Sequence, residues 1–131
     1  MSVRIRQQVI LVSSNDTNEA NCTFKRDDKA LTSQVETFDT EQSGEPILTA
    51  SEANYVLPMG KVVTGQLLYI ESIRQLSVKL NGEATGHPIG PPATGTKGKL
   101  FLRGTFTSVS ISNLDVLNEA EVSYLIAGAK S

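Results

Sequence analysis

The chain has 131 residues with 12 Lys and Arg against 14 Asp and Glu, a formal net charge of −2. Its cations are scattered from Arg4 to Lys130, without the concentrated positive stripe that a phosphate backbone requires, so nucleic-acid binding is not expected. The apolar runs last only a few residues, against the ~20 a membrane-spanning helix needs, so no membrane partner is expected either.

Cys22 is the one cysteine, His87 the one histidine, and tryptophan is absent. No intrachain disulfide can form, no thiolate metal site can be assembled, and Val, Leu and Ile must fill most of the core. That filling suits a β-sandwich better than a platform for flat ligands. The two early arginines are followed by no apolar secretory core, so synthesis and use without export is expected.

In VRIRQQVILVS, Val3, Ile5, Val9 and Leu11 alternate with Arg4, Arg6 and Gln8, which predicts a strand near the amino terminus. Residues 1–12 then form either an edge strand of the domain's own sheet or an arm that pairs with a neighbouring subunit. Ser13 to Asn21 is built from turn formers and is expected as a loop. Cys22 to Phe24 reads as a brief strand that ends at a solvated charged turn, Lys25-Arg26-Asp27-Asp28. Lys29 to Thr40 balances helical spacing of Leu31, Val35 and Phe38 against strand-forming residue types; strand or extended chain is favoured.

Glu41 to Pro46 is expected as a turn. Ile47 to Ala50 follows, and Ser51 to Asn54 is read as one helical turn capped by Ser51. Tyr55 to Pro58 fits a sheet edge, because Pro58 cannot donate to a central ladder. Lys61 to Ser72 reads as a strand bent or bulged at Gly65, with Leu68 and Ile70 on one face and Leu67, Tyr69 and Glu71 on the other. Ser72-Ile73-Arg74 should turn it into Gln75 to Leu80. Asn81-Gly82 is a hairpin-type turn signal, since both residues tolerate positive φ.

Gly82 to Gly98, with five glycines and three prolines, is expected as a long loop that sustains no ladder and serves either as a contact surface or as an excursion from the domain. Lys99 to Arg103, Ser108 to Asn113 and Glu121 to Ala127 are the closing strands, joined by a connection from Leu114 to Glu119. Their rhythm of about ten residues is that of sandwiches and barrels. The prediction is therefore an all-β, mainly antiparallel single domain over 1–131, a β-sandwich or jelly roll with a long Gly/Pro loop.

No residue constellation announces chemistry. His87, between Gly86 and Pro88, lacks the partners of a triad or a zinc site. Cys22 has no second thiol and reads as unreactive. The carboxylate pairs Glu36 with Asp39 and Glu119 with Glu121 have no aromatic platform for a sugar. Asp16 and Asp27-Asp28 lack the regular spacing of a calcium loop, and GHPIGPP and GTKGK lack the helix that follows a phosphate loop. The triplets Asn15-Asp16-Thr17 and Asn21-Cys22-Thr23 carry no weight without export. No catalytic, cofactor-binding or metal residue is assigned, and an enzyme is not expected.

The succession LLYIESIRQLSVKLNG, a Gly/Pro loop, LFLRGTFTSVSISN and a closing EVSYLIAG resembles small virion proteins of tailed bacteriophages, over approximately Val62 to Gly128. The resemblance implies a virion structural protein of sandwich or jelly-roll fold, made in the host cytoplasm. It would cement or decorate the capsid lattice as a homo-oligomer in contact with capsid or other virion proteins, with no cofactor. The amino-terminal strand and the Gly82 to Gly98 loop are the parts assigned to those contacts. An alternative is a carbohydrate- or receptor-binding β module of a phage tail or fibre, in which Ser108, Ser110, Ser112 and Asn113 would hydrogen-bond the ligand.

Overall fold

The computed structural model describes residues 2–7, 10–14, 22–27, 34–90 and 97–130, with side chains for all of these except 10–14, 22–27 and 34–35. The all-β, antiparallel architecture predicted from the alternation is present throughout, and no helix occurs among the described residues. They gather into two compact units, Ser2–Phe38 and Asp39–Ser131.

The first unit consists of two ladders. β1 (Val3–Gln7) pairs antiparallel with β4 (Gln34–Phe38), Val3 opposite Phe38, and β2 (Ile10–Ser14) pairs with β3 (Cys22–Asp27). The single predicted amino-terminal strand is thus two strands in different ladders. Val3, Ile5 and Gln7 are half-buried while Arg4 and Arg6 are exposed, and Gln7 Nε2 donates to Glu36 Oε1 at 2.6 Å. Lys25, Arg26 and Asp27 are strand residues opposite Val12, Leu11 and Ile10 rather than a turn. Residues 28–33, which hold much of the ambiguous segment, lie outside the described residues; its last part is strand.

The second unit contains β5 (Thr40–Gly44), β6 (Ile47–Leu48), β7 (Tyr55–Val56), β8 (Thr64–Ser72), β9 (Leu76–Leu80), β10 (His87–Ile89), β11 (Gly98–Phe106), β12 (Val109–Asn113) and β13 (Ala120–Ala129). One sheet has the order β11-β8-β13-β5, with β6 also on β13; the other has the order β10-β9-β12-β7. Their facing sides share one core, in which Leu68, Ile70 and Ile126 from the first sheet meet Leu76, Val78 and Ile111 from the second, all fully buried. Each such side chain contributes roughly 1.5–3 kcal/mol by leaving water. This is a sandwich-like arrangement, and the alternation of Val109 and Ile111 with Ser110 and Ser112 is what splits β12 into a dry and a wet face.

Ser72 to Gln75 does not return β8 as a hairpin. It carries the chain from one sheet to the other, and the buried Ser72 Oγ fixes the corner by donating to the Glu121 carbonyl at 2.9 Å and accepting from Arg74 N at 3.1 Å. The bulge predicted at Gly65 is present: Gln66 is the extra residue between the pairs Gly65 with Gly128 and Leu67 with Ala127. Asn81 and Gly82 take φ of +56° and +73°, the positive pair of a type I′ turn, closed by Glu83 N to the Leu80 carbonyl at 3.0 Å.

That turn leads into a ladder within the expected loop. His87, Pro88 and Ile89 pair with Val78, Ser77 and Leu76, and the strand is an outer one, where a proline is tolerated. Residues 91–96 of the loop lie outside the described residues. Tyr55 and Val56 occupy the opposite edge of the same sheet, as their approach to Pro58 predicts. Ser51 caps no helix: with φ of +61° it forms a tight turn in which Glu52 N donates to the Thr49 carbonyl at 3.1 Å. Thr40 to Gly44 is a strand rather than a turn, paired with Gly128 to Tyr124.

Candidate contact surfaces

The outer face of the larger sheet carries an ionic cluster. Strand alternation turns Tyr69 and Glu71 of β8 away from the core, and the register sets Lys99 of β11 and Ser123 of β13 on either side of Glu71. Tyr69 Oη donates to Glu71 Oε2 at 2.6 Å, and Lys97 Nζ donates to Oε1 at 3.1 Å. A depression of about 230 Å³ opens here, lined by Glu45, Glu71, Lys97, Glu121 and Ser123 among others.

Burial, then the Glu71 carboxylate beside it, pushes the Tyr69 phenol up to about 12. The bonds from Tyr69 and Lys97 hold Glu71 below the usual carboxylate range. Both groups are thus held in the forms they have at neutral pH, and their bonds tie β8 to the residue that precedes β11.

The phenol's stabilising contribution is complete below pH ~10, the unfolded value, and is lost as pH climbs toward the folded value near 12. Glu71 contributes fully above the unfolded carboxylate range, and its share is lost as pH falls from that range through its lower folded value. In an alkaline titration followed by phenolate absorbance, one of the three tyrosines is expected to ionise late. Tyr69→Phe should remove that late step and Glu71→Gln should move it earlier; a late step that survives Tyr69→Phe would contradict the assignment.

A second surface is apolar. Val116 and Leu117, in the connection between β12 and β13, are 71% and 85% exposed, and Leu114 and Ile73 are about half exposed beside them. The corner at residues 72–75 and this connection are tied by Leu114 N to the Gln75 carbonyl at 3.0 Å and by Arg74 Nη1 to Asp115 Oδ2 at 3.7 Å. Asp115 Oδ1 accepts from Leu117 N and Asn118 N, each at 2.9 Å, which lowers the Asp115 carboxyl below its ordinary value.

Beneath the connection, the buried Asn113 side chain uses both ends of its amide. Nδ2 donates to the Thr49 and Asn118 carbonyls at 3.0 and 2.8 Å, and Oδ1 accepts from Asp115 N at 3.0 Å. The result is an apolar knuckle whose backbone is held before any partner arrives, and preorganisation of this kind lowers the entropic cost of binding. The sequence marks it weakly: Leu114, Val116 and Leu117 are three apolar residues between Asn113 and Asn118, interrupted by Asp115, in a stretch that fits no strand alternation.

Among the residues weighed from sequence, His87 is exposed on β10 with Nε2 3.4 Å from Glu83 Oε1, and no set of three His, Cys, Asp or Glu gathers as metal ligands among the described residues. Glu36 belongs to the first unit and Asp39 to the second. Glu119 and Glu121 are both exposed, and only Glu121 lines the depression. Cys22 and Asp27 lie on β3, their side chains outside the described residues, as are Asp16, Asp28 and the residues from Asn15 to Asn21.

The polar row proposed for glycan binding is partly committed elsewhere. Asn113 is buried beneath the knuckle, and Ser112 Oγ already accepts from Asn54 N at 2.9 Å. Comparison of the chain with protein-family models, curated proteins and solved structures finds no match.

Proposed function

We propose that this protein is a virion structural protein that cements or decorates a capsid lattice, as a homo-oligomer whose work is done by contacts rather than by chemistry. The reading is carried by the knuckle, where apolar side chains on a hydrogen-bonded loop are offered to solvent. Exposed apolar clusters of this kind mark protein contact sites, and a loop already held by its own hydrogen bonds meets a partner at a lower ordering cost. The sequence resemblance to small tailed-phage virion proteins supplies the lattice as the partner. Burying Val116 and Leu117 would add roughly 1.5–3 kcal/mol each, and several copies engaged together multiply a modest contact into firm attachment.

Co-sedimentation with capsids of the encoding phage, assembled without this chain, tests the reading. Wild-type protein is expected in the pellet and the double variant Val116→Asp, Leu117→Asp in the supernatant. The variant should unfold within about 0.5 kcal/mol of wild type, because both positions are solvent-facing. Wild-type protein remaining in the supernatant, or equal pelleting of both, would remove the knuckle as the anchor; retention on glycans alone would favour the receptor-binding alternative.

A further inference from the structure

The sheet β11-β8-β13-β5 has two outer strands, and among the described residues β11 pairs within it only with β8 and β5 only with β13. Their charges are opposite. The run from Lys97 to Phe106 contains Lys97, Lys99 and Arg103 and no acid, whereas the run from Asp39 to Glu45 contains Asp39, Glu41 and Glu45 and no base.

The register places these charges at opposite ends of shared rungs. One rung reads Arg103, Leu67, Ala127, Glu41, and the next reads Phe101, Tyr69, Leu125, Ser43. A third starts Lys99, Glu71, Ser123. It extends to Glu45, because Val122 N donates to the Pro46 carbonyl at 3.0 Å and so keeps the register past the end of β5. Glu45 and Ser123 also line the same depression.

Each neighbouring pair in this sheet is antiparallel, so across three pairings β11 and β5 run in opposite senses. A second copy displaced sideways across the sheet therefore brings its β5 against β11 as an antiparallel pair with the outer faces on the same side. A slip by one residue would turn the outer side chains inward. A slip by two puts Phe101 opposite Glu41 or Glu45 and Lys99 opposite Ser43 or Ile47. The remaining register aligns the rungs of both copies and sets Arg103 opposite Glu41, Phe101 opposite Ser43 and Lys99 opposite Glu45.

We infer that β11 and β5 are the complementary halves of a head-to-tail contact between copies of this chain, formed in that register. Two β11 edges, or two β5 edges, would face like charge with like, which disfavours a two-fold pairing. Arg103 keeps its bond to the Gln66 carbonyl, and the planar guanidinium, with five N–H donors, serves more than one acceptor. A heterologous contact of this type closes into a ring when its rotation permits. It supplies the oligomer used in the proposed function, yet its test needs no capsid, so either reading can fail without the other.

The test is sedimentation equilibrium of the full chain over a range of concentrations, at low and at high salt. Wild type is expected to assemble. Lys99→Glu with Arg103→Glu, and separately Glu41→Lys with Glu45→Lys, should each weaken assembly by ~100-fold or more, since attractive pairs become repulsive ones. The quadruple variant, with both edges reversed, should assemble again. Circular dichroism reports whether each variant keeps its strands. Wild type that stays monomeric throughout, a folded double variant with the wild-type mass, or a folded quadruple variant that remains monomeric would each overturn the contact; the first would leave the edge charges as solubilising groups alone.

Discussion

Asn113→Ala is expected to lower the unfolding free energy by about 2–3 kcal/mol. Its amide makes three hydrogen bonds, to the Thr49 and Asn118 carbonyls and from Asp115 N, and the residue is only 3% exposed. Truncation leaves the Asn118 carbonyl and Asp115 N–H without these partners and leaves the Thr49 carbonyl with Glu52 N alone, at roughly 1 kcal/mol per orphaned group where water has partial access and more where it has none. A urea titration should show a lower midpoint with little change in slope, the mark of lost stability rather than an altered unfolded state. Under the proposed cementing role, the same variant should also bind capsids more weakly than its residual stability explains, because the knuckle would lose its preset shape. A loss below about 1 kcal/mol would mean that the amide is not what holds the two loops together.

Gly128→Ala should cost about 3 kcal/mol or more, for a reason that lies in the backbone. A Cβ at Gly128 would stand 2.0 Å from the Thr64 carbonyl oxygen, and neither strand can yield without opening the bulge. Two other glycines calibrate the result. Gly104 has nothing within 4 Å, so Gly104→Ala should be close to neutral; Gly82 has open space but φ of +73°, so Gly82→Ala should cost about 1 kcal/mol through backbone strain alone. Thermal or urea unfolding of the three variants should rank them Gly128, Gly82, Gly104. A near-neutral Gly128→Ala would contradict the close approach of β8 and β13 at the bulge.

Strands with a single buried face were legible from the sequence because period-two alternation reports burial directly. Val109 and Ile111 against Ser110 and Ser112 is one such case, and Val122, Tyr124 and Ile126 on β13 is another. Asn81-Gly82 and Gly65 were legible because a positive φ and a bulge each favour residues whose backbone is free to adopt them.

The strand Thr40–Gly44 was not legible, because TEQSG has no apolar residue. Its inner positions include Gln42, packed against Gly60, and Gly44, where an added Cβ would stand 3.0 Å from the Tyr124 ring. The apolar contribution comes from the partner. His87–Ile89 was hidden by its glycines and prolines, which an outer strand of three residues tolerates.

The crossing at Ser72–Gln75 escaped notice for a different reason: a hairpin and a change of sheet leave the same short polar turn, and only the partner of each strand separates them. Asn113 reads as part of an exposed polar row because Ser110 and Ser112 beside it are wet, although its own parity places it with Val109 and Ile111. The knuckle reads as a plain connection, since apolar residues in a loop have no period to betray them.

Capsid stability is the property that cementing must change. Under the cementing proposal, capsids of the phage to which it assigns this chain, assembled without it, should be heated with and without the protein while genome release is followed by dye fluorescence. A rise in release temperature that saturates with added protein, and that fails to appear with Val116→Asp, Leu117→Asp, is the predicted result. Binding that leaves the release temperature unchanged, or a rise of equal size with the variant, would contradict a cementing role for the knuckle.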